Sequence, residues 1–155
     1  MANSTLKLWK KFETKPAGKW LFSRLVCLKA PYFGTIKPYF NALKPEYGEV
    51  LLKKRRSVTN HIGTVHAIAM CNMAELAGGT MTEVTTPNTH RWIPKGMTVE
   101  YIKKATSNLK AVATPIGPMN LDHAGVYHVN VDILDENHEK VFHALIDMWV
   151  SPKKQ

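Results

Sequence analysis

Asn60-His61-Ile62-Gly63-Thr64-Val65-His66 is a short polar stretch that runs directly into an apolar segment, residues 67–79. Apolar side chains occupy nearly every position after His66, which predicts a helix that starts near His66, ends near Thr82 and is buried on all sides. Gly63 predicts a turn in the preceding loop. Within the helix only Asn72 and Glu75 are strongly polar. Because burial of an ionised carboxylate costs several kcal/mol, we expect Glu75 to have either a compensating partner or a chemical role.

The length and the cysteine content limit the class of protein. The 155 residues suit one domain with its own hydrophobic core. Cys27 and Cys71 are the only cysteines, and both lie in apolar, helix-like runs without the spacing of metal ligands. We therefore predict neither a disulfide framework nor a metal site. No apolar run is long enough for a secretory signal or a membrane span, so we expect a cytoplasmic protein without a transmembrane segment.

The formal net charge of +9 favours an anionic partner. Cations occur from Lys7 to Lys154, and no helix-turn-helix, RNA-recognition or zinc-finger pattern accompanies them, so we predict no nucleic-acid partner. A phosphate-rich small molecule such as coenzyme A fits the charge as well. Four consecutive cations, Lys53-Lys54-Arg55-Arg56, form either a solvated strand edge or an anion-binding surface.

The order of the predicted elements indicates the fold class. Two amphipathic helices are expected within residues 5–30, and two strands follow at residues 39–43 and 48–58. Beyond the central helix, alternating apolar residues predict strands at residues 96–105, 108–115, 125–134 and 140–150, the last two forming a hairpin. This order predicts an α+β domain in which a long antiparallel sheet wraps around one central helix. We assign residues 1–34 to an N-terminal helical extension and residues 35–155 to the domain.

Three groups, one in the loop before the central helix and two on the helix itself, could act on one substrate. They are the amide of Asn60, the N–H of Ala67 at the positive end of the helix dipole, and the carboxylate of Glu75. Nine residues separate His66 from Glu75, which places them about half a turn out of phase and roughly 13 Å apart along the axis. A site that uses both must take one of them from a second copy of the chain, so the spacing predicts a homodimer.

The stretch from Asn60 to His66, followed nine residues later by an acid on the same helix, resembles the signature of hotdog-fold acyl-CoA thioesterases of the phenylacetyl-CoA thioesterase type. The predicted order of elements is also similar to that fold, and the basic extension resembles that of a less characterised hotdog subgroup. The resemblance implies a hotdog fold, no cofactor, and a homodimer or a dimer of dimers. It further implies hydrolysis of acyl-CoA or acyl-carrier thioesters at a site shared between two subunits.

The resemblance also implies roles for individual residues. Asn60 would orient the thioester or the attacking water, and the Ala67 N–H would form the oxyanion hole. Glu75 of the partner would be the general base or the nucleophile, and His66 would position the thioester carbonyl or support the loop. Ala67 stands where relatives often have glycine, and Glu75 where they often have aspartate. Further substrate contacts are expected at Gly63, Thr64, Arg55, Arg56 and Lys95.

Two other functions fit the same residues. A non-catalytic module that binds an acyl ligand would use the same pocket without needing Glu75. A dehydratase or hydratase of acyl thioesters would use His66 as the base that faces the α-carbon of the substrate. Thioester hydrolysis should depend instead on Glu75 and water.

Overall fold

The computed structural model describes residues 3–153, which form an α+β fold with one antiparallel sheet. The sheet has the strand order β1-β2-β4-β5-β6-β3, and the long central helix α3 lies against its inner face. The helices are α1 (Ser4–Phe12), α2 (Gly18–Lys29) and α3 (Ala67–Thr85), with 3₁₀ turns at Pro31–Ile36 and Arg56–Val58. The strands are β1 (Tyr39–Lys44), β2 (Tyr47–Leu52), β3 (His90–Tyr101), β4 (Leu109–Ile116), β5 (Gly125–Leu134) and β6 (Lys140–Pro152). The predicted fold class is thereby confirmed.

The core lies between α3 and the inner face of the sheet. Alternate residues of the long strands are fully buried, as in Val129 and Val131 of β5 and Ile146 of β6, because successive side chains of a strand point to opposite faces. From the helix, Met73 and Met81 pack against this surface without measurable exposure. The alternation predicted from the sequence therefore marks the side of each strand that the helix covers.

The second half of α3 contains several threonines, although it lies in the core. Their hydroxyls donate to the carbonyl oxygen four residues earlier, at 2.7 to 2.8 Å, in Thr80, Thr82, Thr85 and Thr86. Such bonds satisfy the hydroxyl locally. Thr82 and Thr86 are buried in this way, whereas Thr80 and Thr85 are half-buried, and the Thr85 hydroxyl also accepts from the Glu46 N–H of the β1–β2 turn at 2.9 Å.

The helix is not buried on all sides, contrary to the sequence prediction. Ile68 is 55% exposed, and Cys71 and Glu75 are only half-buried. These three positions are spaced three and four residues apart, so they lie along one stripe of the helix. The apolar sequence of α3 thus reflects two environments, a core side against the sheet and a side that the described chain leaves partly open.

Two strands differ from their predicted bounds by more than two residues: β2 at its end, and β3 at both ends, since it stops at Tyr101 and not at residue 105. β2 ends at Leu52 and not at residue 58. The Lys54 N–H donates to the Asn108 side chain at 2.9 Å and not to a neighbouring strand, and the chain then forms a 3₁₀ turn. β3 begins at His90, six residues before the predicted start, and passes through Pro94. A proline is tolerated there because β3 is an edge strand, and the register shifts between Pro94 and Gly96.

The N-terminal helices form at the predicted place and pack onto the domain. The Trp9, Phe22 and Phe40 rings stack edge to face in sequence, with centroids 5.0 and 5.1 Å apart. The buried Ser23 hydroxyl donates to the Lys19 carbonyl at 2.7 Å and accepts from the Phe40 N–H at 2.8 Å. The division of the chain after residue 34 stays a prediction, and its outer limits, residues 1 and 155, lie outside the described residues.

No helix within residues 3–153 is long and apolar enough to cross a membrane.

Candidate functional site

The loop before α3 is organised by Asn60. Its side-chain oxygen accepts from the N–H groups of Ile62 and Thr64 at 3.2 and 3.1 Å, and its amide nitrogen donates to the Thr64 hydroxyl at 2.8 Å. Gly63 adopts a φ of +79°, which confirms the predicted turn and which side chains with a Cβ rarely adopt. Most of the hydrogen-bonding capacity of Asn60 and Thr64 is therefore used inside the loop, and one N–H of the Asn60 amide remains for a ligand.

His66 caps the helix that follows. Its Nδ1 accepts from the N–H of Ile68 at 3.1 Å, while its own N–H donates to the Val58 carbonyl at 2.8 Å. Because Nδ1 accepts, the proton of the neutral imidazole lies on Nε2. The exposed ring edge of His66 can therefore donate a hydrogen bond outward, and it holds the start of the helix in place.

Ala67 is the first residue of α3, so its N–H has no acceptor within the helix. It borders a cavity of about 320 Å³ together with Asn60, Thr64 and Lys104. The positive end of the helix dipole and the Lys104 ammonium both favour negative charge in this cavity. Asn60 and Ala67 are therefore brought together by the fold of one chain.

Glu75 lies two turns further along α3 and borders a different cavity, of about 340 Å³, whose lining is mainly apolar. Glu83 borders the same cavity, but its carboxylate accepts from Asn3, Thr5 and the Trp92 indole at 3.0, 3.4 and 2.6 Å. The structure assigns no such hydrogen-bond donor to Glu75 within residues 3–153. Of the two carboxylates in this cavity, Glu75 is the one available to a ligand.

The site residues of one chain are distributed over separate cavities. His66 borders a third cavity, of about 200 Å³, with Thr35 and Asn72, and Glu75 lines neither this cavity nor the one that Asn60 and Ala67 border. This separation agrees with the distance expected from nine helical residues. One chain alone therefore does not bring Glu75 to the start of α3.

The cations expected to contact substrate occupy different places. Arg55 is held by carbonyl oxygens of Thr35 and Lys53 at 3.2 and 3.4 Å, and its buried Nε has no hydrogen-bond partner within residues 3–153. Burial and the nearby charge of Arg24 lower the pKa of Arg55. Arg56 is exposed in the 3₁₀ turn. These positions leave Arg55 and Arg56 on the surface before the loop.

Lys95 lies apart from the other expected substrate contacts. Its ammonium is 5.1 Å from the centroid of the Trp149 ring. Trp149 alternates with the buried Met148 and Val150, so it stands on the outer face of the sheet, away from α3. The structure does not bring Lys95 together with Glu75 in one chain.

The N-terminal extension contributes residues that the sequence reasoning did not assign to the site. Val26 and Ala30 of the helical region and Phe33 of the 3₁₀ turn border the Glu75 cavity, opposite Trp92 of β3. The extension therefore forms part of the wall of the cavity that Glu75 borders. Their apolar character at helical spacing was a signal for packing, but nothing local indicated which surface they would face.

Tyr101 and Cys71 were also not assigned to the site. The Tyr101 hydroxyl lies 3.4 Å from the Cys71 sulfur, and this hydrogen bond together with burial raises the pKa of Tyr101. The contact fixes the end of β3 beside the first turns of α3. No group of three or more His, Cys, Asp or Glu side chains within residues 3–153 is arranged to hold a metal ion.

Comparison with known proteins gives the family and the fold. The model of the family described as "Domain of unknown function (DUF4442)" matches residues 18–150, which begins at α2. Among solved structures, the structural-genomics target APC5556 is 45% identical, with a TM-score of 0.82 over 96% of this chain and 98% of that one. No curated protein matches the chain.

Two more distant structures show the same fold in thioesterases. The thioesterase HI1161 of Haemophilus influenzae is 14% identical, with a TM-score of 0.73 over 83% of this chain and 87% of its own. A thioesterase family protein of Silicibacter pomeroyi is 13% identical, with a TM-score of 0.73 over 84% and 96%. The predicted resemblance to hotdog thioesterases is thereby confirmed at the level of the fold. The chain belongs to the DUF4442 family and has the hotdog-like fold of thioesterases.

Proposed function

We propose that this protein hydrolyses acyl thioesters, with acyl-CoA or acyl-carrier thioesters as the substrate class, at a site shared between two copies of the chain. The observation that carries the proposal is the position of Glu75. A carboxylate without a hydrogen-bond donor from the described chain borders a mainly apolar cavity of about 340 Å³. An acyl chain fits such a lining, and a carboxylate beside it is suited to act on the thioester carbon.

The geometry of β3 supports a shared site. Within one chain, the Cys71–Tyr101 contact holds the start of α3 beside the end of β3. The hydrogen bond from the Trp92 indole to Glu83 holds a later turn of α3 beside the beginning of β3. β3 is an edge strand with exposed apolar residues such as Ile93. If two β3 strands pair about a two-fold axis, the end of each lies beside the beginning of the other. This pairing would bring the start of one α3 helix toward Glu75 of the partner.

The proposed reaction uses each residue according to its observed contacts. In one form of the reaction, Glu75 takes a proton from a water that attacks the thioester carbon and passes it to the leaving thiolate, which gives the free acid and the thiol. In the other form, Glu75 attacks that carbon itself and displaces the thiolate, which takes a proton from solvent, and water then hydrolyses the acyl–Glu75 anhydride to the free acid and the Glu75 carboxylate. The Ala67 N–H and the helix dipole stabilise the oxyanion, a contribution of about 3 kcal/mol for each well-placed donor. The Nε2–H of His66 can donate to the thioester, and the C–S bond then breaks as the thiol group leaves with a proton. Lys104 and Arg55 supply positive charge for the phosphates of a CoA or carrier group.

The capping bond of His66 favours hydrolysis over dehydration. A dehydratase needs an unprotonated imidazole nitrogen that faces the α-carbon of the substrate. In His66 the unprotonated Nδ1 is occupied by the N–H of Ile68 at 3.1 Å, so the outward nitrogen is a donor. We therefore assign His66 to positioning the substrate rather than to removing a carbon-bound proton.

Release of free thiol from a panel of acyl-CoA esters tests the activity. We expect turnover by the wild type and a loss of at least about a hundredfold in kcat for Glu75→Gln. The matched control is Glu46→Gln, because Glu46 is an exposed carboxylate in the β1–β2 turn. Equal turnover of the wild type and Glu75→Gln would refute the role of Glu75. Acyl-CoA binding without thiol release would indicate a non-catalytic binding module, and formation of an enoyl thioester from a 3-hydroxyacyl thioester would indicate a dehydratase.

Mixed dimers test the shared site. Ala67→Pro removes the helix-start N–H at the one helical position where proline is well tolerated, and His66 already has the extended backbone that proline requires of its predecessor. Coexpression of Ala67→Pro and Glu75→Gln chains would give one intact site in each mixed dimer. We expect about a quarter of the wild-type activity from random pairing of two inactive variants. No recovery of activity in mixed dimers confirmed by mass would contradict a site built from two chains.

A further inference from the structure

The outward side of α2 exposes three large apolar side chains, with the half-buried Arg24 between two of them. Trp20, Leu21 and Leu28 are 55%, 38% and 75% exposed, and they fall within about 100° of arc around the helix axis. Tyr32, in the 3₁₀ turn that follows, is 68% exposed. We call these four residues the outer face of α2. Phe22 and Ser23, on the other side of the helix, are the residues that bury α2 in the domain, so the outer face is not needed for this packing.

The positive charge of the protein is concentrated in the same part of the chain. Residues 1–58 contain thirteen Lys and Arg against three acids, whereas residues 59–155 contain eight against nine. The net charge of +9 therefore arises entirely from the first third of the sequence. Exposed lysines of this segment include Lys10, Lys11, Lys15 and Lys29, on α1, on α2 and on the turn between them.

We propose that the outer face of α2 docks on the surface of an anionic phospholipid membrane. Leucine, tryptophan and tyrosine side chains at helical spacing, flanked by lysines, form the amphipathic pattern of helices that lie in the interface between lipid headgroups and acyl chains. Each lysine near an anionic leaflet strengthens binding about fivefold. The apolar side chains enter the headgroup boundary while the lysines contact lipid phosphates.

The charge distribution favours a membrane surface over a second copy of the chain or a nucleic acid as the partner of the outer face of α2. A second copy that used the same face would bring two strongly cationic segments together, and like charges at a contact disfavour association. A nucleic acid would be attracted by the lysines, but its phosphates would leave Leu28 and Trp20 without an apolar environment. A membrane surface supplies both the negative charge and the apolar layer.

Docking would not require the thioesterase activity, and the two proposals can fail separately. Tyr32 borders the His66 cavity, whereas Trp20, Leu21 and Leu28 border neither that cavity nor the Glu75 cavity, so only Trp20 and Leu28 are substituted in the test. Substitutions on the outer face can therefore be tested for membrane binding while thiol release is measured in solution.

Flotation of the full chain with lipid vesicles tests the proposal. Vesicles of phosphatidylcholine alone are compared with vesicles that also contain phosphatidylglycerol, at low and physiological salt. The test variant is Trp20→Glu with Leu28→Glu. The control is Ile116→Glu. Ile116 is 53% exposed on β4, so this variant also replaces an exposed apolar side chain with a carboxylate, but outside α2. Circular dichroism and thermal unfolding establish that each variant is folded.

We expect the wild type and Ile116→Glu to float with the anionic vesicles, more weakly at higher salt, and not with phosphatidylcholine alone. The double variant should bind at least about tenfold more weakly. Absence of flotation by the wild type, or equal flotation by the folded double variant, would overturn the proposal. A smaller particle in gel filtration for the double variant, without vesicle binding by the wild type, would identify the face as a contact between copies and would also overturn it.

Discussion

Adjacent glycines in α3 should respond differently to the same substitution. A Cβ at Gly78 would lie 3.0 Å from Ile146 Cδ1 and 3.3 Å from methyl groups of Val129 and Val131. A Cβ at Gly79 would lie 3.0 Å from Cη2 of the Trp92 ring, with the next contacts at 3.6 and 4.0 Å on the same ring. Both substitutions to alanine gain about 1 kcal/mol of helix propensity. A difference in stability between the two variants therefore reports how the side chains around each glycine accommodate the added methyl group.

The surroundings of Gly78 cannot move apart easily. Its three neighbours are essentially unexposed and belong to the packed face of the sheet, so the added methyl acts as overpacking that costs about 1 to 3 kcal/mol. The Trp92 ring beside Gly79 instead borders the Glu75 cavity and can shift toward it by a few tenths of an ångström. Its hydrogen bond to Glu83 is 2.6 Å long and can lengthen within the normal range. We expect Gly78→Ala to lose about 1 kcal/mol and Gly79→Ala to gain about 0.5 kcal/mol.

Thermal unfolding at equal protein concentration measures this difference. For a chain of this size, 1 kcal/mol corresponds to about 2 to 4 °C in Tm, so Gly79→Ala should unfold roughly 3 to 6 °C above Gly78→Ala. Equal concentrations are required because any self-association makes Tm depend on concentration. A Tm for Gly79→Ala at or below that of Gly78→Ala would refute the reasoning, since it would mean that the Trp92 ring has no room to move.

Substitutions at three further residues test other parts of the structure. His66→Ala should lower the free energy of unfolding by about 1 kcal/mol through loss of the helix cap, and His66→Asn should restore most of it, as measured by urea denaturation. Ser23→Ala leaves the buried N–H of Phe40 without its acceptor and should cost about 1 to 3 kcal/mol in the same assay; an unchanged midpoint would show that the extension is not integral to the core. Burial alone would raise the pKa of Asp132, but hydrogen bonds and charges from Lys140 and His143 lower it overall. Asp132→Asn should therefore cost about 0.5 to 1 kcal/mol near pH 7, and the difference from wild type should fade as pH drops below about 4; a constant difference would contradict this.

The local signals around the central helix were sufficient to predict its start and its loop. The turn at Gly63 and the helix start at His66 depend on φ, capping and periodicity, which are set by residues close in sequence. The spacing of His66 and Glu75 also follows from helix geometry alone, and the separate cavities agree with it. Which copy of the chain supplies Glu75 stays a prediction.

The features that were missed depend on packing between distant segments. The four cations after Leu52 have a pattern that a strand could accommodate, but the Asn108 side chain captures the Lys54 N–H and ends the ladder. The early start of β3 was missed because Pro94 lies within the strand, which is tolerated only at a sheet edge. The contribution of Val26 to the Glu75 cavity could not be read from sequence, because it depends on how α2 crosses the open side of the sheet.

The threonines of α3 have a consequence for the strand residues that face them. Since each hydroxyl bonds within its own helix, the opposing strands are not required to present a matching polar group. A change of a strand residue that faces Thr80 or Thr82 therefore affects packing alone and leaves no hydroxyl of these threonines unpaired. At these positions the volume of the side chain, and not its hydrogen bonding, limits which residue a strand can present to α3.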